Sequence, residues 1–313
     1  MRLFIILATL AAGFGPSVSH AAAQCGPDAL DVPPLRDSLL VSTTWLAANL
    51  SRPDLVILQA DHGRGAYEAG HVPGARFASV MDFAAGDMDL PSADALVAVL
   101  QRLGITNQTR VIMYGEPWHL GRVAVALDYL GHGDRWAVLD GGIAQWRAEG
   151  RPVSTDAPPL PSPTTYRPRV RDDIVVDAAW VRARLNDPRV AIIDARTPEE
   201  FAGTARERAP RTGHVPGARL LEWAATYTRP AAALADTASP LIPADRLRGL
   251  FERAGATAGR QPVLYCTIGL RAAHLYFVAR YLGYTPRLYD GSWSEWSRSQ
   301  HPVATGSQPG AVR

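Results

Sequence analysis

The sequence predicts an α/β protein made of two copies of one unit, each a parallel sheet with helices on both faces. Three observations carry this. A set of landmarks recurs in order in the two halves, near-continuous apolar strand-like runs alternate with segments of helical period, and a proline-rich stretch separates the copies.

The repeat is legible as strings. "VSTTWLAANL" (41–50) is answered by "VVDAAWVRARL" (175–185), and "LVILQADHG" (55–63) by "VAIIDARTP" (190–198). "GHVPGAR" stands identically at 70–76 and 213–219, "RVIMYG" (110–115) faces "PVLYCT" (262–267), and "VLDGGIAQW" (138–146) faces "LYDGSWSEW" (288–296). Chance recurrence of seven identical residues in a chain of this length is negligible, so the chain reads as a duplication. Residues 151–170 hold six prolines and little apolar periodicity, which predicts an extended, semi-rigid connector. The expected layout is a leader at 1–23, a first domain at 38–150, the connector, and a second domain at 171–306.

From the N-terminus, Arg2, the apolar run Leu3–Phe14 and the small residues Ala21–Ala23 form a secretory pattern, with cleavage expected after Ala23. The run falls short of the ~20 residues of a membrane span, and Gln24 stands before Cys25 where a lipoprotein signal wants a small residue. The expectation is a soluble exported bacterial protein, periplasmic or secreted. The mature chain would carry 31 basic against 30 acidic residues, a balance that implies neither nucleic acid nor a charged membrane surface. No lysine occurs, which excludes Schiff-base and pyridoxal-phosphate chemistry and the lysine-bearing phosphate loop. Cys25 and Cys266 are the two thiols, and the eight histidines show no metal-ligand spacing, so neither metal nor cofactor is expected. Cys25 reads as a tail thiol, free or bonded to another chain; a disulfide to Cys266 would occupy that residue.

Within each copy, runs such as Val190–Asp194 and Pro262–Tyr265 read as buried strands. Residues 269–282 read as a helix stopped by Gly283. Ligands of such sheets gather where strands end and helices begin, and Cys266 falls at that junction. Backbone N–H groups without intrahelical partners favour an anion there, and a thiolate is the nucleophilic form of cysteine. Gly269 in the turn and Arg271 at its end weigh against Cys266 being a small buried hydrophobe.

These strings together resemble the two-domain rhodanese-type sulfurtransferases over nearly the whole mature chain: the paired "GHVPGAR", "DAR" (194–196), the cysteine loop and "YDGSWSEW". The resemblance implies an inactive first domain, an active second one, and a persulfide carried on Cys266 within a cradle of Thr267, Ile268, Gly269, Leu270 and Arg271. Gly115 in the first copy stands where the second has Cys266. The six-residue ring is one shorter than the C-x5-R loop of related phosphatases and arsenate reductases, and it suits a single added sulfur atom. Partners are then a small anionic sulfur donor and a thiophilic acceptor such as cyanide or a thiol. The alternative is a rhodanese-fold sulfur carrier or partner-binding module without turnover.

The loop departs from the family's two donor patterns. Thiosulfate-type loops resemble C-R-K-G-V-T and mercaptopyruvate-type loops C-G-S-G-V-T, whereas this chain has Thr267 and Ile268 after the cysteine. Charge for the donor is therefore expected from Arg271 and from Arg196, which matches the family's substrate-binding arginine. Thiosulfate is the first expected donor and 3-mercaptopyruvate the second. The competing roles are a surface salt bridge to Glu199 or Glu200 for Arg196, and bonding of loop carbonyls for Arg271. His71 and His214 are expected to support the "GHVPGAR" turns, Trp146 and Trp296 to anchor the core, and Trp293, which has no counterpart in the first copy, to line the cleft.

Overall fold

A computed structural model of the chain describes residues 33–159, 161–205, 209–228 and 240–310. The leader and Cys25 lie outside the described residues. The first sheet comprises β1 (Leu40–Val41), β2 (Leu55–Asp61), β3 (Arg76–Ser79), β4 (Arg110–Gly115) and β5 (Trp136–Leu139). The second comprises β6 (Val175–Val176), β7 (Val190–Asp194), β8 (Arg219–Leu220), β9 (Gln261–Tyr265) and β10 (Arg287–Tyr289). Both are wholly parallel, in the orders β1-β5-β4-β2-β3 and β6-β10-β9-β7-β8, so the duplication seen in the strings is a duplication of topology.

The first domain's helices are α1 (Thr43–Asn49), α2 (Gly65–Glu68), α3 (Ala93–Arg102), α4 (Pro117–Tyr129) and α5 (Gly142–Ala148). The second's are α6 (Ala178–Arg182), α7 (Pro198–Ala202), α8 (Ala244–Arg253), α9 (Leu270–Tyr281) and α10 (Ser292–Arg298). Side chains alternate across a strand, and each sheet therefore feeds two apolar layers. Ile57 and Ile112 join Leu46 and Trp146 on one face of the first sheet; Ile192 and Val263 join Phe201 and Trp296 on one face of the second. The opposite faces, through Leu58, Met113, Ile193 and Leu264, share a single layer with α4 and α9. That shared layer joins the two domains.

Polar contacts lock it. Asp128 of α4 accepts hydrogen bonds from Arg280 Nε (2.6 Å) and Tyr276 hydroxyl (2.9 Å) of α9, all three buried. The described part of 151–170 holds no helix or strand and lies along the first domain. Ser154 bridges His71, Tyr166 is buried beside His132, and Arg167 N–H donates to Asn107. No helix among the described residues is long and apolar enough to cross a membrane.

Trp146 and Trp296 are fully enclosed, and their indole N–H groups donate to equivalent carbonyls, Pro152 O and Pro302 O. His71 and His214 are likewise enclosed. Each stacks on a ring, Tyr67 or Phe201, and bonds that residue's carbonyl through Nδ1.

Candidate functional site

β9 runs into α9 through the loop of Cys266 to Gly269. Sheet register fixes which residue of the first domain corresponds. Asp194 pairs with Tyr265 as Gln59 pairs with Tyr114, and the hydroxyls of Tyr114 and Tyr265 accept the amides of Val72 and Val215, equal places in the two "GHVPGAR" turns. Gly115, paired with Ala60, is thus the structural counterpart of Cys266. The strings of β2 and β7 align as the structure does, whereas "RVIMYG" and "PVLYCT" stand one residue out of step with it.

The loop is held from below. Trp293 N–H and Ser294 N–H, at the start of α10, donate to the carbonyls of Cys266 and Thr267, both at 2.9 Å. Ser292 Oγ accepts the Cys266 amide (3.2 Å) and donates to Tyr289 O (2.9 Å); the residue takes a left-handed φ of 52° to do so. Gly269 has φ 84°, and a Cβ on it would sit 2.6 Å from Asp290 Oδ1 and 2.7 Å from an Arg122 nitrogen, so only glycine fits this turn. The carbonyls of Cys266 and Thr267 and the amide of Cys266 are thus taken. Among the described residues, none of the backbone N–H groups of Thr267, Ile268, Gly269, Leu270, Arg271 and Ala272 donates to a protein acceptor. Six consecutive N–H groups after the cysteine, at the start of a twelve-residue helix, are a donor set of the kind that binds anions. Cys266 is a free thiol, 1% exposed, inside it.

Arg271 closes the ring toward Glu200. Its Nη1 and Nη2 donate to both Glu200 oxygens at 2.7 Å, and Nη2 donates to Thr267 Oγ1 at 2.7 Å. Glu200 also accepts the Thr197 amide (2.9 Å) as the return half of a capping box on α7. Burial alone would push the Glu200 carboxyl up; the hydrogen bonds from Arg271 and Thr197 and the nearby guanidinium charges reverse this and lower it to about 2. Burial opposes the Arg271 charge too, but its bonds to Glu200 and the facing charges of Cys266 and Glu200 outweigh it and raise its pKa above the ordinary value. Arg271 therefore contributes a fixed positive charge near the sulfur while being half of a bidentate pair.

Two expected site residues stand elsewhere than the sequence suggested. Arg196 is fully buried; its Nη2 donates to Asp194 (2.7 Å) and to Gly213 O (2.6 Å), and the guanidinium stacks 4.7 Å over Trp293. A buried cation must be paired, and Asp194 supplies the pair in place of the surface partners Glu199 or Glu200. Trp293 is fully buried as well, its indole N–H donating to Arg211 O, so it packs Arg196 and does not line an open cleft.

Three contributors went unread in the sequence. The Thr197-Pro-Glu-Glu200 stretch carries a capping-box pattern, and nothing local to it signals its reach to Arg271. Ser292 was hidden inside a motif read for its tryptophans. Arg122, fully buried on α4, pairs with Asp290 at 2.7 Å across the domains and carries no sequence signal.

A cavity of about 380 Å3 opens beside the loop, lined by Thr267 and Ile268 from the loop and by Met88 and Asp87 from the first domain, with Arg298 from α10. In the first domain the corresponding turn is closed differently. Asp61, one position beyond the strand pair of Gly115, accepts the Glu116 amide at 3.1 Å, and burial raises its carboxyl pKa.

The chain is similar to known proteins along most of its length. The rhodanese-like domain family matches residues 42–149 and 177–299. Similar proteins include "Sulfur carrier protein TtuD" of Thermus thermophilus, 32% identical over 86% of this chain and 98% of that one. They also include a "Probable 3-mercaptopyruvate sulfurtransferase" of Pseudomonas aeruginosa, 32% identical over 85% and 98%. A "Thiosulfate sulfurtransferase" of Corynebacterium glutamicum is 32% identical over 85% and 90%. The solved structure of YnjE superposes with a TM-score of 0.76 at 26% identity, covering 86% of this chain and 69% of that one. An anaerobic ergothioneine biosynthesis enzyme of Chlorobium limicola shares the fold, with a TM-score of 0.77 at 23% identity over 90% and 73% of the two chains. The chain belongs to the rhodanese family, as a sulfurtransferase built of two rhodanese-like domains in tandem.

Proposed function

We propose that the enzyme moves sulfane sulfur through a persulfide on Cys266. The observation that carries this is the run of six unpartnered amides from Thr267 to Ala272 around a free thiol. The Cys266 thiolate attacks the outer sulfur of a donor such as thiosulfate. An Sγ–S bond forms, the donor's own bond to that sulfur breaks, and the remainder leaves with the electron pair. The resulting anionic persulfide takes the loop N–H groups as donors that need no reorganisation. A thiophilic acceptor, cyanide or a thiol, then removes the terminal sulfur and restores the thiolate. The first domain lacks a sulfur at the corresponding place and acts by walling and bracing the loop. The leader-like first 23 residues support an exported location for the mature chain.

Intact-protein mass spectrometry tests the reading. Treatment with a sulfane-sulfur donor adds one sulfur atom to Cys266, cyanide removes it, and Cys266→Ser keeps the fold while losing both the adduct and thiocyanate formation. Turnover by Cys266→Ser at the unsubstituted rate would overturn it. The kinship with a protein named as a sulfur carrier favours one second reading, a Cys266 adduct handed only to a dedicated partner. A Cys266 persulfide that resists cyanide supports that reading.

A further inference from the structure

We infer that Ile268 and Met88 select organic hydropersulfides and thiols, which carry an apolar substituent and at most one charge, as donor and acceptor, in preference to dianionic oxyanion donors. The inference rests on the Cys266 persulfide reading and deepens it.

Charge around the loop is already balanced. Arg271 is bound by Glu200, Arg122 by Asp290 and Arg196 by Asp194, each at 2.7 Å. Arg298, the one cation among the described residues lining the cavity beside the loop, pairs with Asp87 at 3.1 Å. A doubly charged donor entering there meets guanidinium groups that already hold carboxylates, so the loop N–H groups compensate part of its lost hydration but no unpaired counter-charge compensates the rest. The remaining surface is neutral: Ile268, Met88, Ala209, and the short side chains of Thr267 and Ser294.

Met88 is held there against its own backbone preference. Its φ is 81°, a left-handed conformation that costs an unbranched side chain about 1–2 kcal/mol. It is held by Arg122 Nη2, which donates to the Met88 carbonyl (2.8 Å), and by Asp290 Oδ2, which accepts the Leu90 amide (2.5 Å). Asp290 and Arg122 are the two groups against which Gly269 packs. The same buried pair therefore sets both the cysteine loop and the methionine that faces it. A flexible thioether opposite an isoleucine suits an alkyl or aryl substituent of variable shape. Strain of this kind is maintained at functional sites when the surroundings fix it.

The step balances without an external oxidant or reductant. The Cys266 thiolate attacks the terminal sulfur of R–S–SH, the Sγ–S bond forms as the donor's S–S bond breaks, and R–S⁻ leaves with the electron pair and takes a proton from water. A second thiolate reverses the step and leaves as its own persulfide.

The test compares kcat/KM for propyl hydropersulfide and for thiosulfate, with a common thiol acceptor, in the full chain and in two variants checked for fold by circular dichroism. The expected preference of the unsubstituted protein for the hydropersulfide is about tenfold or more. Ile268→Arg, which adds a second cation to the cavity wall at the third loop position, shifts the ratio toward thiosulfate by a similar factor. Met88→Ala shifts it the same way by lowering hydropersulfide use. A preference for thiosulfate in the unsubstituted protein overturns the inference while leaving the persulfide reading intact, as does a ratio that Ile268→Arg does not move. If neither donor puts a sulfur atom on Cys266, the parent reading falls and takes this one with it.

Discussion

Glu200→Gln isolates the group that ties the cysteine loop to α7. The carboxylate accepts from Arg271 twice, from Thr197 N–H and from Thr267 Oγ1, and its side chain is 17% exposed. Lowering its carboxyl from 4.5 to about 2 corresponds to about 3 kcal/mol at 1.36 kcal/mol per pKa unit. Deleting one partner of a buried ion pair costs roughly 3–5 kcal/mol, and Arg271, 21% exposed at its side chain, belongs at the low end of that range. Two independent routes thus give about 3 kcal/mol, or roughly a 1 M fall in the urea midpoint.

The pH dependence has a definite sign. A carboxylate with a depressed folded pKa contributes all of its stability above the unfolded value and loses it as pH falls through the folded one. The gap between the unsubstituted protein and Glu200→Gln should be full at pH 7 and close between pH 4.5 and about 2. Urea unfolding followed by tryptophan fluorescence at pH 7, 5, 4 and 3 measures it. A gap below about 0.5 kcal/mol at pH 7, within the range of ordinary surface substitutions, would refute the reasoning, as would a gap that stays constant from pH 5 to 3.

Two further outcomes follow from the geometry. Gly115→Cys does not create a second sulfur-carrying site, because φ there is 136° and a Cβ would run into the Ala60 carbonyl and lie 3.0 Å from Asp61 Oδ1. Donor treatment of this variant should still add one sulfur atom per chain in intact mass, and a second cyanide-labile atom would contradict the account. Acid should also weaken the fold below pH 6.5. His274 is fully buried and donates through Nε2 to Thr226 Oγ1, since that hydroxyl donates to Trp223 O, while its Nδ1 accepts from Tyr227. Burial lowers its pKa to about 3, so the folded state keeps it neutral while the unfolded state takes up a proton below 6.5. The loss reaches about 2 kcal/mol at pH 5, and the slope of Tm against pH between 6.5 and 5 should flatten in His274→Gln. An unaltered slope counts against it. His119 and His132, lowered by burial to about 4, act with the same sign in both proteins.

Much of the fold was legible because duplication prints each landmark twice, and because a strand buried on both faces reads as an unbroken apolar run. The cysteine's place at the end of β9 follows from the same pattern. What could not be read are contacts between distant positions. Arg122 and Asp290 are 168 residues apart and Glu200 and Arg271 are 71 apart, and no local period joins them. Arg196 is a different case. Asp194 and Arg196 are two residues apart, a spacing that puts side chains on the same side of extended backbone, so the pair was open to inspection had burial been weighed against the family role. The charge state of the loop was hidden for a related reason: counting arginines near it says nothing about which of them already hold a carboxylate.

On the proposed function, the two copies differ in what occupies the turn after the fourth strand of each sheet. Register equates Gln59 with Asp194, and Asp61 therefore with Arg196. In the second domain that position is a cation held by Asp194, and the loop amides beyond Cys266 stay unpartnered. In the first domain it is a carboxylate, which accepts the amide of Glu116 just past Gly115 and takes a bond from Gln59 Nε2 at 2.8 Å. An anion supplied by the chain thus bonds the turn where the other copy is proposed to hold a persulfide. Removing the sulfur alone would have left unsatisfied donors, at roughly 1–3 kcal/mol each where buried. The carboxylate relieves one of them, and the helix that follows the turn remains available for packing. That helix, α4, is the one that carries Arg122 to Asp290 beneath Gly269. The proposed lack of chemistry in the first copy and the bracing of the loop in the second would in this way follow from one arrangement.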